Sequence, residues 1–181
     1  QDDGAHGLGA QEAGGKSIGL NIQLSFEQEP NPYVTPHLCF QFHYFALRKM
    51  HFLLRARAVA VFPGGFGTFD ETFELLTLIQ TGKNPPIPLV LVDDDDGSYW
   101  EPWFDFIKEV MLKRGLISGE DFSLFTITRD PFEAAQLIHD FYRIYHSSRW
   151  VGSTFVIRLN KTLSTENLTT LEGEFSEILE S

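Results

Sequence analysis

The feature that most constrains this chain is a short apolar run, residues 58–62 (AVAVF), that passes directly into Pro63, Gly64, Gly65, Phe66, Gly67 and Thr68. So short and so uniformly apolar a run suits a strand buried on both faces, as in the middle of a parallel sheet. The glycines make a tight exit toward a helix, which the periodicity predicts over about residues 69–81. Residues 88–92 (PLVLV) repeat the buried-strand pattern. Residues 16–24 (KSIGLNIQL) and 123–128 (SLFTIT) read as strands, and 154–159 alternate like one. Helices are expected over residues 38–57, 100–114, 131–145 and 164–179. The first rests on Phe42, Phe45, Ala46, Phe52 and Leu53 recurring at three- and four-residue steps.

Punctuation residues support these limits. Gly82 and Gly115 stand where helices should stop, and Asp130-Pro131 supplies an N-cap followed by a proline at the first helical position. Residues 25–36 hold Pro30, Pro32 and Pro36 and read as a structured loop, while residues 1–15 show no clear period. Strands alternating with helices define an α/β chain with a mostly parallel sheet and helices on both faces. Ligands of such sheets sit beyond the carboxyl ends of the strands. Residues 1–147 are expected to form the main domain. Residues 148–181 read as a C-terminal strand-helix extension, with the boundary between residues 145 and 152.

Charge and composition exclude several function classes. The net charge of −11 and the lack of a basic stripe argue against nucleic acid and anionic membranes as partners. Cys39 is the one cysteine, so no disulfide framework or cysteine-rich zinc site can form within a chain. No apolar run reaches the roughly 20 residues of a membrane span. The opening Gln1-Asp2-Asp3-Gly4 lacks signal-peptide character, so the expected location is cytoplasmic. The 17 phenylalanines, many at helical spacing, point to broad aromatic core faces.

Gly64, Gly65 and Gly67 between strand and helix would let the backbone adopt positive φ and let a ligand approach the main chain. Exposed N–H groups and the helix dipole there favour an anion. A ligand-free strand-to-helix turn is the plain alternative. No Gly-Lys-Ser/Thr follows, and the spacing is not GxGxxG, so neither the Walker loop nor the dinucleotide fingerprint is present. His37, His51, His139 and His146 show no ligand spacing, and the Asp93–Asp96 run reads as a solvated loop. No metal site and no cofactor are assigned. Glu71 can be read as the partner of Thr68 in a capping box, Thr68-x-x-Glu71, which would occupy it in satisfying a helix-start N–H. Arg48 carries a fork of donors suited to phosphate or a purine edge. Lys49, one residue on, should point to another face of the same helix. His43 and Tyr44 precede Arg48 on that predicted helix, and Asn21 ends the first strand where it could line a pocket.

The string at residues 63–71, PGGFGTFDE, fills every fixed position of PGGxGTxxE, the signature of the LOG ("lysine decarboxylase-like") family, and Arg48-Lys49 stands upstream as in that pattern. The chain resembles that family from about residue 14 to 145. The stretches GLNIQL, EQEPNPYVTP and FHYFALRKMHFLLRARAVAVFPGGFGT are most similar to its larger bacterial members, the nucleotide 5′-monophosphate nucleosidases. The resemblance implies a Rossmann-like fold and hydrolysis of the N-glycosidic bond of nucleoside 5′-monophosphates to free base and ribose 5-phosphate. It implies Glu71 and Arg48 as catalytic residues. Gly64, Gly65, Gly67, Thr68, Lys49 and Glu74 become candidates for binding phosphate or nucleotide. It also implies a homodimer or higher homo-oligomer, with the arginine helix near the two-fold axis. The alternative is a non-catalytic nucleotide- or cofactor-binding protein of the same fold. Family members carry a Gly-Ser loop and a glycine-rich loop resembling TGGGPGIMEA ahead of the AGGKSIG segment, where this chain has only residues 4–15. Part of the phosphate site is therefore expected outside this sequence, and the last unit is expected to be truncated.

Overall fold

Three strands, β3 (Val59–Val61), β4 (Leu89–Val92) and β5 (Thr126–Thr128), form a parallel sheet in the order β3-β4-β5. The structure is a computed structural model and describes residues 3–23 and 31–178. In register, Val59 pairs with Leu89 and Val90 with Thr126, so β4 is the central strand, and all four of its residues are buried. Strand side chains alternate between faces, and the packing shows it. Leu89 and Leu91 join Leu75 of α3 (Phe66–Gln80) and Trp100 and Trp103 of α4 (Trp100–Phe106). Val90 and Val92 join Ala134, Leu137 and Ile138 of α5 (Pro131–Ile144). Helices therefore cover both faces, and the fold is α/β and Rossmann-like, as the alternation of elements predicts.

The phenylalanines do what their spacing suggests. Phe69 lies 5.8 Å from the Tyr99 ring and 5.7 Å from Trp100, and Trp103 lies 5.3 Å from Phe125. Such rings add about 0.5–1.5 kcal/mol per pair beyond the area they bury. The helix stops also fall where expected. Gly82 has φ 68° just past α3, a conformation that costs any other residue a clash with its own Cβ. Asp130 caps α5 by accepting from the Phe132 N–H at 2.8 Å, with Pro131 in the first turn.

Other expectations are corrected. The helix predicted over residues 38–57 begins only at Phe45. Cys39–Phe42 is instead β2, paired in parallel with β1 (Gly19–Ile22), and α2 (Phe45–Arg55) follows. Cross-strand hydrogen bonding to β1 overrides the helical recurrence that Phe42 suggested. His43 and Tyr44 consequently lie between β2 and α2, with His43 exposed in a bend. Gly119–Leu124 forms a 3-10 helix closed by reciprocal Ser118 and Asp121 contacts, and this shortens the strand expected over 123–128. Ile107–Leu112 continues α4 with π-helical winding. Asp3–Glu12 is helical (α1) despite its lack of apolar period. Tyr145–Val151 is a strand, β6, forming an antiparallel hairpin with β7 (Thr154–Leu159), and α6 (Thr165–Phe175) follows. Of the loop expected over residues 25–36, residues 25–30, including Pro30, lie outside the described residues. Among the described residues no helix is long and apolar enough to cross a membrane.

Candidate functional site

The glycine loop leaves the carboxyl end of β3, and Gly65 is the N-cap of α3, with no side chain capping the helix. The helix therefore starts earlier than residue 69, and Thr68 is its third residue, not its cap. This removes the capping box. Glu71 stands in the second turn of α3, and its carboxylate is not engaged in satisfying a helix-start N–H. The first-turn N–H groups are left without a side-chain acceptor, which is the arrangement that attracts an anion.

Each glycine has its own reason. None of Gly64, Gly65 and Gly67 uses the positive φ that glycine would allow. A Cβ on Gly64 would collide with Thr68 Oγ1, so closeness to Thr68 is what requires glycine there. A Cβ on Gly65 or Gly67 would meet nothing within 4 Å, so open space lies beside both. The Gly64 carbonyl accepts a hydrogen bond from the Tyr99 hydroxyl. Tyr99 is in turn fixed by Asp93, which sits at the end of β4 and accepts from its backbone N–H at 3.1 Å.

The charged residues converge between α2 and α3. Arg48 forms an ion pair with Glu71, and its Nε donates to the Leu20 carbonyl of β1 at 2.8 Å. The two side chains are 26% and 28% exposed, so the pair is half-shielded yet reachable from solvent. Lys49 was expected to point elsewhere, but it reaches the same helix. Its Nζ lies 2.5 Å from Asp70 and 3.1 Å from Glu74, which are one turn apart on α3. Asp70, then Glu74, hold the Lys49 ammonium above its ordinary pKa, against the opposing effect of burial. Asn21 is turned to the neighbouring strand, donating to Cys39 Sγ at 3.4 Å.

Two features escaped the sequence reading. One is Tyr99 as an anchor of the glycine loop. The other is Asp93, which is 6% exposed rather than solvated. Its carboxylate accepts from the N–H groups of Asp94, Tyr99, Trp100 and Glu101 at 2.8–3.1 Å. Burial works against its charge, but those four donors prevail and hold its pKa below the ordinary value. An acid directly after a buried strand and seven residues before a helical aromatic was the available signal.

A cavity of about 610 Å³ opens at the carboxyl ends of the three strands, with Phe62, Pro63, Asp93, Asp94, Ser98 and Arg129 in its wall. Arg129 is paired with Glu101, and Arg48 and Glu71 do not line this cavity. Among the described residues no group of three or more His, Cys, Asp or Glu side chains is placed to hold a metal ion.

Together, a parallel sheet covered on both faces and an uncapped glycine loop at a strand's carboxyl end define an α/β protein with an open helix start at the carboxyl edge of its sheet. A family profile described as "Possible lysine decarboxylase" matches residues 4–138, most of the chain. The chain belongs to this family, the one whose PGGxGTxxE signature it carries at residues 63–71. No curated protein matches the sequence.

Proposed function

We propose that the chain hydrolyses the N-glycosidic bond of nucleoside 5′-monophosphates. Water adds to C1′ of the ribose, the C1′–N bond breaks with its electron pair leaving on the base, and a proton completes the free base. The products are base and ribose 5-phosphate. The observation that carries this reading is the Arg48–Glu71 pair, held beside an uncapped glycine loop with open space at Gly65 and Gly67. The loop N–H groups and the dipole of α3 receive the 5′-phosphate, with Thr68 as a further donor. Glu71 faces the positive charge that develops on the ribose ring and orients or activates the water. Arg48 aims Glu71 and offers its remaining donors to the nucleotide. Lys49 and Glu74 shape the same wall through their mutual ion pair.

The family description names a decarboxylase. A Schiff-base lysine needs its amine neutral, which calls for a lowered pKa. Lys49, the lysine of this site, is raised instead. That favours the hydrolase over a lysine imine mechanism. The same reading includes a homodimer, and the exposed apolar residues Phe45, Leu47, Met50 and Leu54 on α2 support an interface there.

Incubating the protein with a panel of purine and pyrimidine monophosphates and following base release by chromatography tests the proposal. Release that Glu71→Ala abolishes while nucleotide binding persists is the expected outcome. No release from any monophosphate by folded protein would end it. A second reading, a non-catalytic nucleotide binder, is favoured by one observation: Glu71 is already paired with Arg48. On that reading Glu71→Ala alters stability and nothing else.

A further inference from the structure

The charged wall of Arg48, Lys49, Asp70, Glu71 and Glu74 suits the ribose and phosphate of a nucleotide but gives its base nothing flat and apolar to lie on. An aromatic ring supplies that surface, because every base has a π-face that stacks. Direction decides which ring near the carboxyl edge of the strands is placed to do so. Phe62 packs with Val90 and Val92 and lines the cavity that Glu71 does not line. The Tyr99 ring is stacked on Phe69, and its hydroxyl donates to the Gly64 carbonyl. Phe66 is 95% exposed. At about 100° per residue, however, it leaves α3 roughly 140° around the axis from Glu71. A base joined to a ribose at Glu71 is therefore carried away from it.

Tyr44 stands on the required side. α2 and α3 each leave the carboxyl end of the strand before them, and the Arg48–Glu71 pair joins the two helices near their starts. Tyr44 is the N-cap of α2, and its carbonyl accepts from the Arg48 N–H at 3.2 Å. The two residues are thus one turn apart on one side of the helix. Tyr44 has extended backbone (φ −118°, ψ 127°), so His43 projects to the opposite side. The Tyr44 side chain is 70% exposed, which leaves a ring face open. The glycine loop, the Glu71–Arg48 pair and Tyr44 then follow one another in the order phosphate, ribose, base. We propose that Tyr44 is the platform on which the base of the nucleotide stacks, and that it lets the site tell a nucleotide from the bare sugar phosphate. This rests on the nucleotide reading above and adds a base-binding residue to it. Stacking reads a ring face and not a hydrogen-bond pattern, so the larger purine faces gain more from it than pyrimidines do.

Adenosine 5′-monophosphate and ribose 5-phosphate share sugar and phosphate and differ in the base, so the pair isolates the contact. Calorimetric titration of both, in a Glu71→Ala background that prevents turnover, tests the proposal. Adding Tyr44→Ala should weaken the monophosphate about 10-fold or more and leave ribose 5-phosphate unchanged. Tyr44→Phe, which keeps the ring, should retain most of the affinity. Tyr44→Trp reports the contact directly: a stacked purine should quench its emission, read against the same protein with Tyr44, and ribose 5-phosphate should not. Thermal denaturation confirms that each variant is folded. Equal affinity for the monophosphate with and without the Tyr44 ring overturns the proposal, as does equal weakening of both ligands. A Tyr44→Ala effect confined to sedimentation, with both affinities intact, assigns the ring to an interface and overturns it too. Base release by the wild type with an unchanged KM in Tyr44→Ala removes this inference alone. A wild type that neither binds nor cleaves any monophosphate removes the nucleotide reading with it.

Discussion

Arg48 on α2 and Glu71 on α3 are joined guanidinium to carboxylate, while the same arginine donates through Nε to the Leu20 carbonyl of β1. One side chain thus ties the two-stranded sheet of β1 and β2 to the helix that leaves the glycine loop. The fork geometry makes this possible, because Nε and a terminal nitrogen point to different acceptors. Glu71 is held in place from a separate element, and that element is where a change in its aim would begin.

Arg48→Lys follows directly. An ammonium on a flexible stem cannot serve Leu20 and Glu71 with fixed geometry. Turnover of nucleoside monophosphate should fall about 10- to 100-fold, the scale of a misplaced catalytic group, with the fold retained. Steady-state base release beside thermal denaturation checks it. Full activity in Arg48→Lys would show that the arginine does not aim the acid.

The three loop glycines should separate by consequence. Gly64→Ala forces a methyl onto Thr68 and should lower the melting temperature, at an overpacking cost of about 1–3 kcal/mol. Gly65→Ala and Gly67→Ala enter open space and should leave stability nearly unchanged. Their methyls occupy the approach to the loop N–H groups, so KM for monophosphates should rise. Calorimetry paired with kinetics distinguishes the two classes. Equal destabilisation by all three would refute the assignment.

These residues also show what was legible in sequence. The buried strands AVAVF and PLVLV announce themselves because a strand covered on both faces has no polar positions to confuse the pattern. Gly82, Asp130 and Pro131 act locally, so their roles read from spacing alone. β2 was hidden because its identity depends on β1, some twenty residues earlier, and not on its own periodicity. Thr68 and Glu71 fit a capping box in sequence, yet the helix begins at Phe66 and the box never forms. Lys49 defeated the one-residue argument because α3 presents Asp70, Glu71 and Glu74 across a width that two neighbouring side chains of α2 can both reach. Tyr99 could not be found at all, since a hydroxyl meeting a carbonyl 35 residues away leaves no local trace.

Tyr99→Phe isolates that contact. The ring still packs on Phe69 and Trp100, and only the hydroxyl is lost. Stability should drop by about 0.5–1.5 kcal/mol, the net value of an ordinary hydrogen bond. The Gly64 carbonyl would be freed, and the loop should become more mobile. Hydrogen exchange at Thr68 and Phe69, whose N–H groups donate to the Gly65 carbonyl, should accelerate in the variant while β4 amides keep their protection. Unchanged exchange there would mean that Tyr99 does not hold the loop.

Asp93 gives the protein a predictable acid limb. Its folded pKa is depressed, because four backbone N–H groups favour the charged form more than burial disfavours it. A carboxyl with a depressed folded pKa contributes its full stability above the unfolded value, near about 3.9, and loses it as pH falls through the folded value. Asp93→Asn removes the charge at every pH and turns an NH2 group toward N–H donors. At neutral pH it should destabilise the fold by about 1.5–3 kcal/mol, the range for hydrogen bonds to a charged group. As pH drops below about 4, the wild type loses the same contribution, so the gap between the two proteins should narrow. Urea unfolding at pH 7 and at successively lower pH measures this difference directly. A gap that stays constant down the acid limb would mean that the Asp93 charge is not what holds Tyr99 and the start of α4 against the end of β4.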